Sequence, residues 1–100
     1  MKKTILVLAL TAAAAFAADA KKGQEVFESN CGVCHSTGAD EKMGPGFKGL
    51  FKKAELRNKK KVSDASVLSM INEGGNGMPP FGDSLTKAEK DDLLAYLKTL

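Results

Sequence analysis

The chain has 100 residues, 15 of them basic and 12 acidic, with 43% hydrophobic residues and two cysteines. That length leaves room for one domain at most, and a formal charge of +3 offers no basis for nucleic-acid binding. A single disulfide between two such close cysteines would remove little chain entropy, so it cannot be what holds a small domain together.

The first element is a leader. Lys2 and Lys3 make a short basic start, and residues 5–18 are apolar except for Thr11. Two small-x-small exits follow, Ala15-Phe16-Ala17 and Ala18-Asp19-Ala20. This is the pattern of a secretory signal peptide over residues 1–20, cut after Ala17 or after Ala20, and it predicts export to the periplasm. The alternative is an uncut membrane anchor, but spanning a bilayer takes roughly 20 apolar residues and this run is shorter. No cysteine lies near the exit, so a lipid-modified N-terminus is not supported. A cut after Ala20 removes Lys2, Lys3 and Asp19, leaving 13 basic and 11 acidic residues and a charge of +2. The remaining domain, residues 21–100, is short. Domains of that size bury only ~60–65% of their unfolded surface. They usually need a disulfide framework, a metal or a bulky cofactor.

Three helices are predicted in this domain. Residues 22–29 carry Gly23, Val26 and Phe27 and lead directly into Cys31. Residues 36–49 are rich in Gly, Ser, Thr and Pro and read as loop, ending in the apolar Phe47, Leu50 and Phe51. Residues 64–73 form the second helix, with Ser63 as N-cap and Val67, Leu68 and Ile71 on one face. Residues 74–82, Gly-Gly-Asn-Gly-Met-Pro-Pro-Phe-Gly, form a second loop. Thr86-Lys87-Ala88-Glu89 is a capping box, and Leu93, Tyr96, Leu97 and Leu100 follow as one apolar stripe. No strand alternation and no internal repeat is present. The expected class is all-α with long loops, and loops this long in so small a domain call for something to fill them.

Cys31-Gly32-Val33-Cys34-His35 has the Cys-x-x-Cys-His spacing of c-type haem attachment. Two intervening residues let both sulfurs reach the two vinyl groups from one turn of chain. The next residue then lies under the iron, and its imidazole becomes the proximal ligand. His35 is the only histidine, so no other imidazole competes. Three other readings are set against this one. A redox dithiol would open a helix in a βαβ setting, and no strands surround it. A zinc site needs about four ligands, and no second Cys or His pair exists. A structural disulfide is common in exported proteins.

A six-coordinate iron takes a distal ligand, and a soft thioether is a good one. Met70 falls in the second helix, where core packing is the simpler role. Met43 lies eight residues beyond His35 in the loop of the proximal side. Met78 follows a glycine-rich approach and precedes Pro79 and Pro80, which stiffen the chain beyond the sulfur. Being 43 residues from His35 with a helix between them, it has the chain length to reach the opposite haem face. The alternative is that Met78 only packs and the iron stays open.

On these residues the chain resembles the small bacterial class I cytochromes c, over nearly all of residues 21–100. Gly23, Phe27 and Cys31 look like that family's N-terminal helix, whose Gly and aromatic pack against a C-terminal helix; Tyr96 and Leu97 stand at the matching place. Gly44-Pro45-Gly46-Phe47-Lys48-Gly49-Leu50 is similar to the family's Gly-Pro-x-Leu-x-Gly-Leu stretch, with Phe47 where Leu is usual. The likeness implies that the Pro45 carbonyl accepts a hydrogen bond from the outer ring nitrogen of His35. Gly77-Met78-Pro79 looks like the distal-ligand loop. No Trp is present for a haem propionate, and Arg57 and neighbouring lysines are the candidates instead. The resemblance implies a cytochrome c fold of three to four helices around one haem.

The function so implied is a periplasmic electron carrier, not an enzyme. One haem c is joined to Cys31 and Cys34, with its iron held by His35 and Met78. Phe27, Phe47, Leu50, Leu68, Ile71, Phe81 and Leu97 are expected to bury it. Its partners are other redox proteins, not nucleic acid; the chain is expected to be monomeric and not membrane-inserted after cleavage. Lys48, Lys52, Lys53, Arg57, Lys59, Lys60 and Lys61 cluster around a lone acid, Glu55. That cluster either steers an acidic partner or is simply a solvated face. The rival function is a peroxidase or gas sensor with an open iron, but no distal histidine–arginine constellation supports it. A haem-free exported redox or structural domain is the third reading.

Overall fold

The computed structural model describes residues 17–100. The expected leader falls almost wholly on residues 1–16 and so lies outside them.

Three α-helices make up the frame: α1, Ala20–Asn30; α2, Asp64–Glu73; and α3, Lys87–Leu97. A 3-10 turn, Leu50–Lys52, lies between α1 and α2. The all-α expectation holds. Among the described residues the only strand-like pairings are two isolated bridges, Glu55 with Lys61 and Gly75 with Met78.

Helix α1 begins two residues earlier than the spacing predicts and ends one later. Asp19 is its N-cap, with a side chain accepting from the amides of Lys21 and Lys22. Those amides have no helical acceptor of their own, so the cap extends the helix backwards. Helices α2 and α3 match the expected limits at their N-termini. Each starts on a reciprocal capping box, Ser63 with Ser66 and Thr86 with Glu89.

The frame is α1 crossed on α3. Gly23 is buried at the crossing, where an added Cβ would collide with the Asp92 carbonyl oxygen. Without a side chain there, the two backbones come close enough for Phe27 to meet Tyr96 at 5.8 Å between ring centroids. The core is Phe27, Leu50, Val67, Ile71, Leu85, Leu93, Leu94 and Leu97. The predicted stripe on α3 is correct at Leu93 and Leu97. Tyr96 and Leu100 are half-buried on its edge, and Leu94 is buried instead. The loop after α1 is tied to the far end of the chain by the Gly49 amide, which donates to the Leu100 carbonyl at 3.0 Å.

Candidate functional site

Cys31 is the C-cap of α1, its amide donating to the Phe27 carbonyl. The Cys34 and His35 amides then both donate to the Cys31 carbonyl, at 3.1 and 2.9 Å. One tight turn therefore carries both thiols and the imidazole, as the attachment spacing requires. Both cysteines are half-buried free thiols. Burial, and secondarily the neighbouring Cys34, push the Cys31 thiol up to about 11. A reactive dithiol needs the opposite, a thiolate stabilised at neutral pH. A thioether at Cys31 has no proton to lose, so burial costs it nothing of this kind. Among the described residues, no group of three or more His, Cys, Asp or Glu is placed to hold a metal ion.

The loop after the motif sets the orientation of His35. Its Nδ1 lies 2.8 Å from the Pro45 carbonyl oxygen. A carbonyl only accepts, so Nδ1 carries the proton and Nε2 keeps its lone pair. The Gly44 amide donates to the Cys34 carbonyl at 2.8 Å, and the Phe47 amide to the Ser36 carbonyl at 2.8 Å. Gly44 lies so close that an added Cβ would enter the imidazole ring. Phe47 stacks on the same ring, 4.3 Å between centroids and 24° between planes, and meets Phe27 edge-on at 5.9 Å. The sequence pattern showed Phe47 only as a departure from Leu. The stack on His35 needed the fold to reveal it.

Met78 is presented by a tight turn. Gly74, Gly75, Asn76 and Gly77 all have positive φ, at 66°, 131°, 52° and 92°. Gly75 and Met78 exchange both backbone hydrogen bonds across the turn, at 2.9 and 3.0 Å. Positive φ at both central residues is the mark of a type I′ turn, which favours Asn-Gly. The Asn76-Gly77 pair is thus a readable signal for this turn, and a reading of residues 74–82 as plain loop does not use it.

Two adjoining cavities, of about 190 and 280 Å³, meet at this place. Cys31, His35, Pro45, Arg57 and Met78 border both of them. The first runs inward to Phe47, Leu50, Val67, Ile71, Leu93 and Leu97. The second lies between the cysteine turn and the 75–81 loop, and it is bordered by Cys34, Met43 and Phe81. Of the three methionines after the initiator, Met78 alone borders both cavities. Met43 is 85% exposed, with its sulfur 3.8 Å from Cys34 Sγ. Met70 borders the first cavity, 3.9 Å from the Asn58 amide, and is not the core residue that was expected. Phe27 and Leu68, also expected around the haem, border neither of these two cavities. Phe27 is spent on Tyr96 and Phe47, and Leu68 packs against the core from one side. Val67 and Leu93 line the cavity in their stead.

Arg57 reaches both cavities while its guanidinium holds Glu41 in a two-point ion pair. That hydrogen bond, with the attraction between the charges, pulls the Glu41 carboxyl below its ordinary range. Lys48, Lys52, Lys53, Lys59, Lys60 and Lys61 are all exposed.

The donor set fits a covalently attached haem. Two thiols, a singly protonated imidazole with one free nitrogen, and a thioether border one apolar space. Pockets of this kind, largely apolar with few convergent polar groups, are what planar cofactors occupy.

The family described as cytochrome c oxidase, cbb3-type, subunit III matches residues 18–97. The cytochrome c6 of a Synechococcus species is 32% identical, over 97% of this chain and 91% of that protein. The cytochrome c6 of Pyropia yezoensis is 35% identical, over 83% of this chain and 73% of that one. Among solved structures, cytochrome c6 from the diatom Phaeodactylum tricornutum superimposes with a TM-score of 0.66. At 24% identity, covering 81% of this chain and 92% of that one, it bears on the fold alone.

Proposed function

Since the chain belongs to the class I monohaem cytochromes c, we propose that it is an exported electron carrier whose haem is held by Cys31, Cys34, His35 and Met78. It carries one covalent haem c, passes single electrons between redox partners, and is not an enzyme. The observation that carries the residue assignment is the shared border: Cys31, His35 and Met78 all face both halves of one apolar space.

Bound haem supplies the Fe(III)/Fe(II) couple. Cys31 and Cys34 would hold it through two thioethers, each thiol adding across one vinyl group so that nothing leaves. The Pro45 carbonyl holds the proton on His35 Nδ1, which fixes the ring and makes Nε2 a better donor. Gly44 and Phe47 restrict that ring from two sides. The Asn76-Gly77 turn and the two prolines fix the backbone on either side of Met78. With His35 and Met78 both held by the fold, little of the protein would have to reorganise between the two redox states. Phe47, Leu50, Val67, Ile71, Leu93 and Leu97 keep the site apolar, which disfavours the extra positive charge of the oxidised state and raises the potential.

The proposed place of work is the periplasm, reached through the leader in residues 1–20. No helix among the described residues is long and apolar enough to cross a membrane. The exposed lysines 48, 52, 53, 59, 60 and 61 are proposed to steer an acidic redox partner to the site. Such encounters are small and short-lived.

The test is extraction. Protein secreted by a host that attaches haem is treated with acid acetone, and the pigment is expected to stay with the polypeptide. Its oxidised spectrum should carry the weak far-red sulfur-to-iron band. Pigment that washes out would refute the thioether assignment, and a high-spin spectrum would refute Met78.

A further inference from the structure

We propose that the leader is removed between Ala17 and Ala18, so that Asp19 belongs to the working protein as the clamp between its two ends. This rests on the export reading and selects one of two exits that look alike in sequence. Both Ala15-Phe16-Ala17 and Ala18-Asp19-Ala20 offer small residues at the two positions a signal peptidase reads. The fold separates them.

Asp19 has three roles in the structure. Its side-chain Oδ1 accepts from the amides of Lys21 and Lys22, at 2.9 and 3.2 Å. Its carbonyl accepts from the Gly23 amide at 3.0 Å. Its own amide donates to Asp92 Oδ1 on α3 at 2.8 Å, across 73 residues of sequence. Asp92 also supplies the carbonyl against which Gly23 is packed. Asp19 therefore caps α1, starts its backbone ladder and ties it to α3 next to the glycine crossing.

A cut after Ala20 would discard all of this. Gly23 would lose the carbonyl that its amide uses, and α1 would begin on a free α-ammonium followed by Lys21 and Lys22. Three positive charges would then stand at the positive end of the helix dipole. A cut after Ala17 keeps every one of these bonds. It leaves Ala18 and Asp19 as an exposed, non-helical lead-in. The α-ammonium then forms one residue before the amide bound to Asp92, where a carboxylate already lies. The working chain is residues 18–100, with 13 basic and 12 acidic residues and a charge of +1.

The experiment expresses the full 100-residue chain in a bacterium that exports it and attaches haem. The soluble coloured product is then subjected to N-terminal sequencing and intact-mass measurement. The expected N-terminus is Ala18-Asp19-Ala20-Lys21. A product starting at Lys21 would overturn the cut site and leave export standing. A product still starting at Met1 would overturn both. Two variants test the clamp in the same host. Asp19→Ala is expected to lower the melting temperature by roughly 4–8 °C, and Asp19→Asn, which still caps, to recover most of that loss. An unchanged melting temperature in Asp19→Ala would remove Asp19 from the folded protein.

Discussion

His35 and Met78 are held in different ways, and the difference sets how each responds to change. His35 is anchored by its own neighbourhood, with the Pro45 carbonyl, Gly44 and Phe47 all within 12 residues of it in sequence. Met78 depends on the Asn76-Gly77 turn, which stands across the site on a separate segment. Replacing Met78 leaves the rest of that turn intact, because its hydrogen bonds are made by backbone atoms. Met78→Ala is therefore expected to fold, to lose the far-red band, to bind carbon monoxide when reduced, and to have a lower reduction potential. Visible spectroscopy with and without carbon monoxide checks this. A spectrum like that of the parent protein would shift the ligand role to another methionine, and Met70, which borders only the inner cavity, would be next to examine.

At the scale of elements, the site rests on the pair α1 and α3. The turn bearing both thiols continues from the last residue of α1, so any change in how α1 sits on α3 moves the attachment point. The closest approach is at Gly23, against backbone that cannot swing aside. Gly23→Ala improves intrinsic helix propensity by roughly 1 kcal/mol. The overpacking it causes costs about 1–3 kcal/mol and is expected to dominate. Thermal unfolding of the haem protein should show a lower midpoint, by about 4–8 °C for each kcal/mol of net loss. A midpoint equal to or above that of the parent would mean that the helices separate without penalty. The caps do a different job: Ser63 with Ser66 and Thr86 with Glu89 place the starts of α2 and α3, and with them the residues that reach the cavity.

Over the whole molecule, the core is built around the cavity. Leu50, Val67, Ile71, Leu93 and Leu97, five of the eight buried hydrophobic residues, also border the first cavity. A haem-free chain keeping this shape would leave the apolar walls of that cleft without a packing partner. Total stability is commonly about 5–15 kcal/mol, and small domains sit low in that range. The double variant Cys31→Ala, Cys34→Ala, which cannot attach haem covalently, is expected to remain largely unfolded. Far-ultraviolet circular dichroism across a melt measures this. A helical chain with a cooperative transition near that of the parent would show that the core stands without its guest.

Much of this was legible in the amino-acid order because the features involved are local. The attachment spacing, both capping residues, the stripe at Leu93 and Leu97 and the glycine approach to Met78 each depend on neighbours a few residues apart. A helix period or a capping box expresses itself within one or two turns of chain. What was missed joins distant segments. Phe27 packs away from the cavity and Val67 and Leu93 border it, because the α1–α3 crossing turns Phe27 toward Tyr96. Periodicity states that a residue is buried, not against what. The stack of Phe47 on His35 and the bond from Asp19 to Asp92 likewise exist only after the chain has closed on itself. The order of residues determined the chemistry and the helices; which side chains border the cavity, and how α1 is tied to α3, were decided by packing.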